Sequence, residues 1–271
     1  MVVNTRRLFV QLLRPLCISD VCDVGSMDGE DAVTFRRAVP HARVYAFEPN
    51  PVNYRLMAAD RALERCDIRL VPLAISNLDG EADFFLPEAQ YLQRDPRRGM
   101  GSLHRRAGEW APCAAARVST MRLDTFLAHN RRPNMRLALW IDTEGSAYEV
   151  VEGLGGWAGQ VQLLHIEVET APCIGSRQRL YPQVKSLLWR LGFAELATDQ
   201  RKSHVQFNAL FVRRQMPLGL SLAVRASLLS ASLRRLAGSL LGACCPACLR
   251  RYQACIAGGA READAHNRAA R

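Results

Sequence analysis

Between residues 18 and 212, short apolar runs alternate with segments whose apolar positions recur every three to four residues. Residues 18–24 read as a strand, closed by the turn Gly25-Ser26-Met27-Asp28-Gly29, and residues 30–38 as a helix. A second strand over 43–48 ends in an acid and is stopped by Pro49-Asn50-Pro51. The spacing of Leu56, Ala59 and Leu63 predicts a helix over 53–66, and residues 68–73 form a third strand. Asp79-Gly80 is a turn signal before the apolar run Phe84-Phe85-Leu86, after which residues 87–117 lose periodicity and collect Arg, Pro and Gly. Such a long irregular stretch inside a compact domain is often functional.

Regular patterning resumes with a strand over 137–142, a helix over 146–154, a strand over 161–167 and a helix over 180–190 that stops at Leu191-Gly192. Residues 193–196 and 205–212 close the series as an antiparallel pair. This order predicts an α/β fold: a mostly parallel, doubly wound, Rossmann-like sheet with a terminal antiparallel pair. The expected organisation is a lead-in helix over 1–17, a catalytic domain over 18–212, and a basic, Leu/Ala/Cys-rich C-terminal extension over 213–271.

Charge sharpens that division. Residues 213–271 carry ten Arg and two acids, whereas residues 1–212 carry 26 basic and 24 acidic side chains. A near-neutral domain argues against a nucleic-acid groove, which needs a cationic surface for phosphates. The N-terminal run Leu8, Phe9, Val10, Leu12 and Leu13, between Arg7 and Arg14-Pro15, is too short to span a bilayer. It reads as an amphipathic helix, with membrane-surface binding as the alternative. In the extension, Leu222, Leu229, Leu233, Leu236 and Leu240 share one helical face, while Arg225, Arg234 and Arg235 break the apolar run. A membrane surface, a second copy of the chain or the domain itself are the partners this face suits. The nine cysteines lack regular spacing and read as reduced, mostly buried residues, with zinc at Cys244, Cys245, Cys248 and Cys255 a minor alternative. A cytoplasmic location, with peripheral membrane contact as an alternative, is the corresponding expectation.

Chemistry enters with Asp23-x-Gly25-x-x-x-Gly29, a turn that brings backbone close to a ligand and presents the unsatisfied N–H groups of a helix start. Glu48 lies at the end of the next strand, where its carboxylate can accept both hydroxyls of an adenosine ribose. That acid suits S-adenosylmethionine and NAD alike. Asn50 either orients this region or caps the following helix. Asp142-Thr143-Glu144-Gly145 ends the fourth predicted strand, and Glu167 and Glu169 end the fifth. In a doubly wound sheet these acids converge on the carboxyl-terminal edge, where ligands bind.

Several runs carry a resemblance. They are Cys22-Asp-Val-Gly-Ser-Met-Asp-Gly29, Ala46-Phe-Glu-Pro-Asn50, Leu73-Ala-Ile-Ser-Asn-Leu-Asp-Gly80, Gly99-Met-Gly-Ser-Leu103 and Val118-Ser-Thr-Met-Arg-Leu-Asp124, then Ile141-Asp-Thr-Glu-Gly-Ser-Ala-Tyr-Glu-Val-Val-Glu-Gly153 and His165-Ile-Glu-Val-Glu169. In this order, over residues 18–212, the chain resembles the FkbM-type family of class I S-adenosylmethionine-dependent methyltransferases. The resemblance implies methyl transfer to a hydroxyl of a sugar, polyketide or related small molecule. It implies that Asp23, Gly25, Ser26 and Gly29 shape the methionine-side loop, and that Glu48, beside Asn50, holds the ribose. Ala74 and its neighbours would flank adenine, with Asp142 near the sulfonium and the acceptor. The chain departs from the family at Met27, Trp140 and Ala147, where Asn, Lys and Glu are common. An NAD-dependent oxidoreductase and a catalytically silent protein retaining the fold are the alternatives.

An alcohol acceptor must also lose its proton. Asp142, Glu144 and His204 are the catalytic candidates, with Glu167 and His165 behind them; His165, between Leu164 and Ile166, reads foremost as a core histidine. A divalent Mg²⁺ held by Asp142 with Glu167 or Glu169 is a further candidate. Arg94, Arg97, Arg98, Arg105 and Arg106 suit an anionic, phosphorylated acceptor, and Ser102, His104 and Trp110 are contact candidates for a carbohydrate-like one.

Overall fold

The computed structural model describes residues 3–86, 96–106, 114–200 and 204–215. The leucine face and cysteine run of the C-terminal extension lie outside the described residues, as do Arg94 and Trp110.

A seven-stranded sheet organises the domain. Its strands are β1 (Asp20–Val24), β2 (Arg43–Phe47), β3 (Arg69–Val71), β7 (Leu137–Ile141), β8 (Val161–Glu169), β9 (Phe193–Thr198) and β10 (Gln206–Arg213), in the order β3-β2-β1-β7-β8-β10-β9. Strands β3 through β8 pair in parallel, and β10 runs antiparallel to both β8 and β9. This is the doubly wound sheet with a terminal antiparallel pair that the pattern predicts. Every position of β1 and of β7 is buried, because both are central strands covered on two faces.

Strands β4 (Ala74–Ser76), β5 (Gly80–Leu86) and β6 (Ala114–Arg122) form a second, three-stranded sheet in the order β4-β6-β5. It corrects the reading of 87–117 as irregular throughout. Strand β6 reads Ala-Ala-Ala-Arg-Val-Ser-Thr-Met-Arg and leaves much of one face in solvent, so its apolar signal is weak. Its antiparallel pairing with β5, Gly80 opposite Thr120 through Leu86 opposite Ala114, supplies what local pattern lacks. Helix α5 (Leu123–His129) follows directly, anchored by Leu123, Phe126 and Leu127.

Helices cover both faces of the main sheet. On one face lie α1 (Thr5–Leu13) and α2 (Glu30–Ala38); on the other lie α5, α6 (Ala147–Glu152) and α7 (Tyr181–Arg190). Helices α3 (Pro51–Ala58) and α4 (Arg61–Arg65) connect β2 to β3. In α2, Glu30 and Asp31 occupy the first turn and Arg36 and Arg37 the last, matching the helix dipole. Leu8, Phe9, Leu12 and Leu13 of α1 are at most 1% exposed, so the apolar face that also suited a membrane surface is used inside the protein. No helix among the described residues is long and apolar enough to cross a membrane.

Under α1, Phe9 packs edge-on against Phe35, Trp140 and His165. Trp140 and His165 are register partners on β7 and β8, and their rings stack 3.6 Å apart. Trp140 is therefore a core residue and not a wall of the acceptor site. The described cysteines, Cys17, Cys22, Cys66 and Cys173, are all free thiols; Cys22 is buried, whereas Cys17 and Cys173 are exposed, which corrects the expectation of general burial.

Candidate active site

At the carboxyl-terminal ends of β1, β2, β7 and β8 lies a cavity of about 770 Å³, counted to its open mouth. The position is where a doubly wound sheet binds ligands. Gly25, Met27 and Glu48 form one wall, Leu73, Ala74, Ile75 and Phe84 an apolar side, and Asp142, Thr143, Glu144, Ser146 and Glu167 the far end.

Gly25 has φ +86°, and a Cβ there would sit 1.9 Å from the Asp142 carbonyl oxygen, so only glycine lets β1 and β7 close at this point. Gly29, at φ +80°, caps the start of α2 and faces Leu63; it shapes the turn without lining the cavity. Met27 and Glu144, both cavity-lining, hold positive φ values of 54° and 48°. Non-glycine residues in that region store strain that the surrounding structure must hold.

Glu48 is 4% exposed. Its Oε2 accepts the Met27 N–H at 2.7 Å and its Oε1 accepts the Asn50 N–H at 2.8 Å. Burial pushes its carboxyl up to about 7 despite these bonds, which favour the charged form. The Asn53 side chain also hydrogen-bonds to Glu48, which leaves the carboxylate about one further acceptor direction for a ribose hydroxyl. The Asn50 side chain accepts the Val52 N–H at 3.0 Å and caps α3, the helix-capping role left open above. Asp23, buried on β1, accepts from the Ser26 hydroxyl at 2.5 Å through Oδ2, while its Oδ1 has no partner; burial raises its carboxyl strongly.

Thr143 Oγ1 and Ser146 Oγ, on cavity-lining residues, are likewise buried without partners, as is Asn50 Nδ2. Buried polar atoms normally find partners. A cavity with an apolar side for a base, a twice-oriented carboxylate for a ribose and orphaned polar atoms at its far end fits S-adenosylmethionine.

The far end is strongly acidic. Oxygens of Asp142, Glu144 and Glu167 lie within 4.8 Å of one another. Glu167 and Glu169 fall two apart on β8, hence on one face of the strand. Across from them on β10, Gln206 Nε2 donates to Glu167 Oε1 at 2.6 Å and reaches Glu144 Oε2 and Glu169 Oε1 at 3.4 Å. Gln178 Nε2 donates to Glu169 Oε2 at 2.5 Å, and Arg106 Nη2 pairs with Glu144 Oε2 at 2.5 Å. Burial and mutual repulsion raise both Asp142 and Glu167, Glu167 much the more, and a hydrogen bond joins the two side chains. A hydrogen bond between two carboxyls requires a proton, so the pair shares one. Burial also pushes Glu169 up to about 7.

The fit to Mg²⁺ is incomplete. Mg²⁺ needs only one or two carboxylates, but of the three here Glu144 and Glu167 are already engaged by Arg106 and Gln206. The cluster that forms also replaces Glu169 of the expected ligand set with Glu144. The chemistry below is accordingly derived without a metal.

His204 is exposed on the segment leading into β10 and does not line the cavity, so it drops out as a catalytic candidate. His165 is a core residue whose Nε2 meets Thr5 Oγ1 at 3.0 Å, with burial holding the ring neutral. The arginine reading changes too. Arg98, 6% exposed, donates to Asn53 Oδ1 at 2.9 Å and receives the Asn53 amide on its own carbonyl, while Arg105 lies over the Phe85 ring. Gln206, Gln178 and Asn53 are absent from the sequence-level candidates, because their partners come from distant elements that no local spacing announces.

Residues 23–194 match the profile of the methyltransferase FkbM domain. A curated relative, the 2-O-methyltransferase NoeI of Sinorhizobium fredii (strain NBRC 101917 / NGR234), is 28% identical over 156 residues. That alignment covers 49% of this chain and 56% of NoeI, so the chain matches about half the length of this relative. Among solved structures, the N-terminal domain of EvdMO1 in the presence of SAH and D-fucose aligns at 13% identity and a TM-score of 0.43, over 78% of this chain and 81% of that one. Magnesium protoporphyrin IX methyltransferase from Synechocystis PCC 6803 with bound SAM aligns at 11% identity and a TM-score of 0.40, over 77% and 79%.

Proposed function

Because this chain belongs to the FkbM methyltransferase family, and is thus an S-adenosylmethionine-dependent methyltransferase, we propose that it O-methylates a hydroxyl of a carbohydrate-like small molecule. The family match displaces the nicotinamide-dependent alternative. The observation that carries the reading is one cavity with a ribose-type carboxylate, Glu48, on one wall and the Asp142–Glu167 pair at its far end. The name of NoeI, a 2-O-methyltransferase, supports an oxygen acceptor.

The cofactor, when bound, supplies an already activated methyl group, which leaves the protein to align the acceptor oxygen, exclude water and take a proton. Glu48 orients the ribose, and the loop from Gly25 to Met27 bounds the cofactor on the β1 side. Ala74 and Ile75 supply apolar surface for the base. Asp142 lines the cavity at the end of β7 and shares one proton with Glu167, so this pair is placed to accept the acceptor's hydroxyl proton, with Asp142 as its base. Glu144, fixed by Arg106 and by the Ser102 hydroxyl on its carbonyl at 2.6 Å, bounds the acceptor.

The test is transfer of labelled methyl from S-adenosylmethionine to a panel of sugars and polyols, with Asp142→Asn beside the parent chain. General-base loss lowers kcat by about 10²–10⁴-fold while S-adenosylhomocysteine binding persists. Undiminished turnover in Asp142→Asn would remove Asp142 from the proton-transfer role.

A further inference from the structure

We propose that the acceptor end of the cavity rejects anionic molecules, and that the compound methylated is an uncharged polyol without phosphate or carboxylate groups. The inference rests on the O-methyltransferase reading above and deepens it by naming the substrate class. Three carboxylates, Asp142, Glu144 and Glu167, line this end, and Glu169 stands behind them at 1% exposure. The described basic side chains nearby are already committed. Arg106 is paired with Glu144, and Arg98, which lines the cavity beside Met27 and acts electrostatically on Glu48, is bound into the Asn53 side chain and reaches the Met27 carbonyl at 3.4 Å. The proton shared by Asp142 and Glu167 relieves part of the negative charge and leaves the cluster net anionic.

An incoming phosphate or carboxylate would thus meet like charge among largely buried carboxylates, where Coulomb repulsion is stronger than in open water. The wall cannot swing aside. Glu144 sits at positive φ, its carbonyl accepting from Ser102 and its carboxylate from Arg106. An uncharged polyol meets the opposite situation. Its O–H groups donate to carboxylate oxygens, and the unpartnered hydroxyls of Thr143 and Ser146 complete its hydrogen bonding. Glu144 is the specificity-determining residue of this arrangement.

The experiment incubates the full chain with methyl-labelled S-adenosylmethionine and a small-molecule and glycan extract, then passes the products over an anion exchanger at mildly alkaline pH. The label is expected in the unretained fraction. Label held on the exchanger would overturn the charge inference and leave the methyltransferase reading standing. Absence of any labelled small molecule would remove the hydroxyl-acceptor reading itself, and the inference with it. With the acceptor in hand, kcat/KM for it and for its phosphorylated derivative is compared. The parent chain should favour the uncharged form by about a hundredfold, and Glu144→Gln should narrow that ratio by about tenfold while still binding S-adenosylhomocysteine. An unchanged ratio in the variant would strip Glu144 of the selecting role.

Discussion

A single carboxylate, Glu48, combines two backbone hydrogen bonds with burial that opposes its charge. Hydrogen bonds to a charged group contribute about 1.5–3 kcal/mol each, so Glu48→Ala should weaken S-adenosylhomocysteine binding by at least about tenfold in calorimetry. Protonation removes the same acceptors. Binding by the parent chain should therefore weaken as pH falls through about 7, whereas Glu48→Gln should bind weakly with little pH dependence. A flat profile in the parent chain would contradict the ribose role. Gly25 acts through shape. Gly25→Ala forces a left-handed non-glycine residue, costing about 1–3 kcal/mol, and drives its Cβ into the Asp142 carbonyl. Thermal denaturation should show a destabilised fold, and titration with S-adenosylhomocysteine should show no binding. Glu48 and Gly25 were legible as candidates from their places after apolar strands. The Met27 and Asn50 N–H groups that orient Glu48 were not, since one comes from the turn after another strand.

At the scale of elements, the strands and their parallel order follow from the apolar runs, and α1 shows how an element acquires its function by packing. Its Phe9 fills the space over Phe35, Trp140 and His165, and Phe9→Ala should cost about 3–5 kcal/mol in denaturant unfolding. The same layer sets a pH limit. Burial lowers His165 from an ordinary 6.5 to about 3 in the fold, so below 6.5 the unfolded chain takes up a proton that the folded chain refuses. The ring is neutral in both states above that pH and has no effect there. Stability should fall progressively as pH drops from about 6.5 toward 3, and His165→Gln should flatten that limb of a melting-temperature curve. An equally steep limb in the variant would assign the loss to other groups. Strand β6 escaped the pattern because half of it faces solvent, and helix α5 because it is short and starts where β6 ends.

For the molecule as a whole, the cavity joins two sheets and the ends of four strands, and its lining includes the buried Thr143 and Ser146 hydroxyls, which have no protein partner. S-adenosylhomocysteine at a hundred times its Kd should stabilise the fold by about 2.7 kcal/mol, measured as a rise in Tm. Since Arg106 and Gln206 already engage Glu144 and Glu167, chelation with EDTA should leave the methyl-transfer rate unchanged; a rate restored only by added Mg²⁺ would reverse that assignment.

The sequence by itself determined the succession of strands and helices in the main sheet, the terminal antiparallel pair, the glycine turn after β1 and the acids at the strand ends, because each is written in local periodicity or in a residue type at a boundary. Tertiary structure decided which of those acids meet. Glu144 joined Asp142 and Glu167 while His204 stayed outside, since the positive φ at Glu144 and the antiparallel register that sets Gln206 opposite Glu169 are properties of packed strands. It also decided that Arg106 pairs with Glu144 and that Arg98 is held by Asn53 at the cavity lining. A charged side chain's role depends on which partners fold against it, and those partners lie dozens of residues away along the chain.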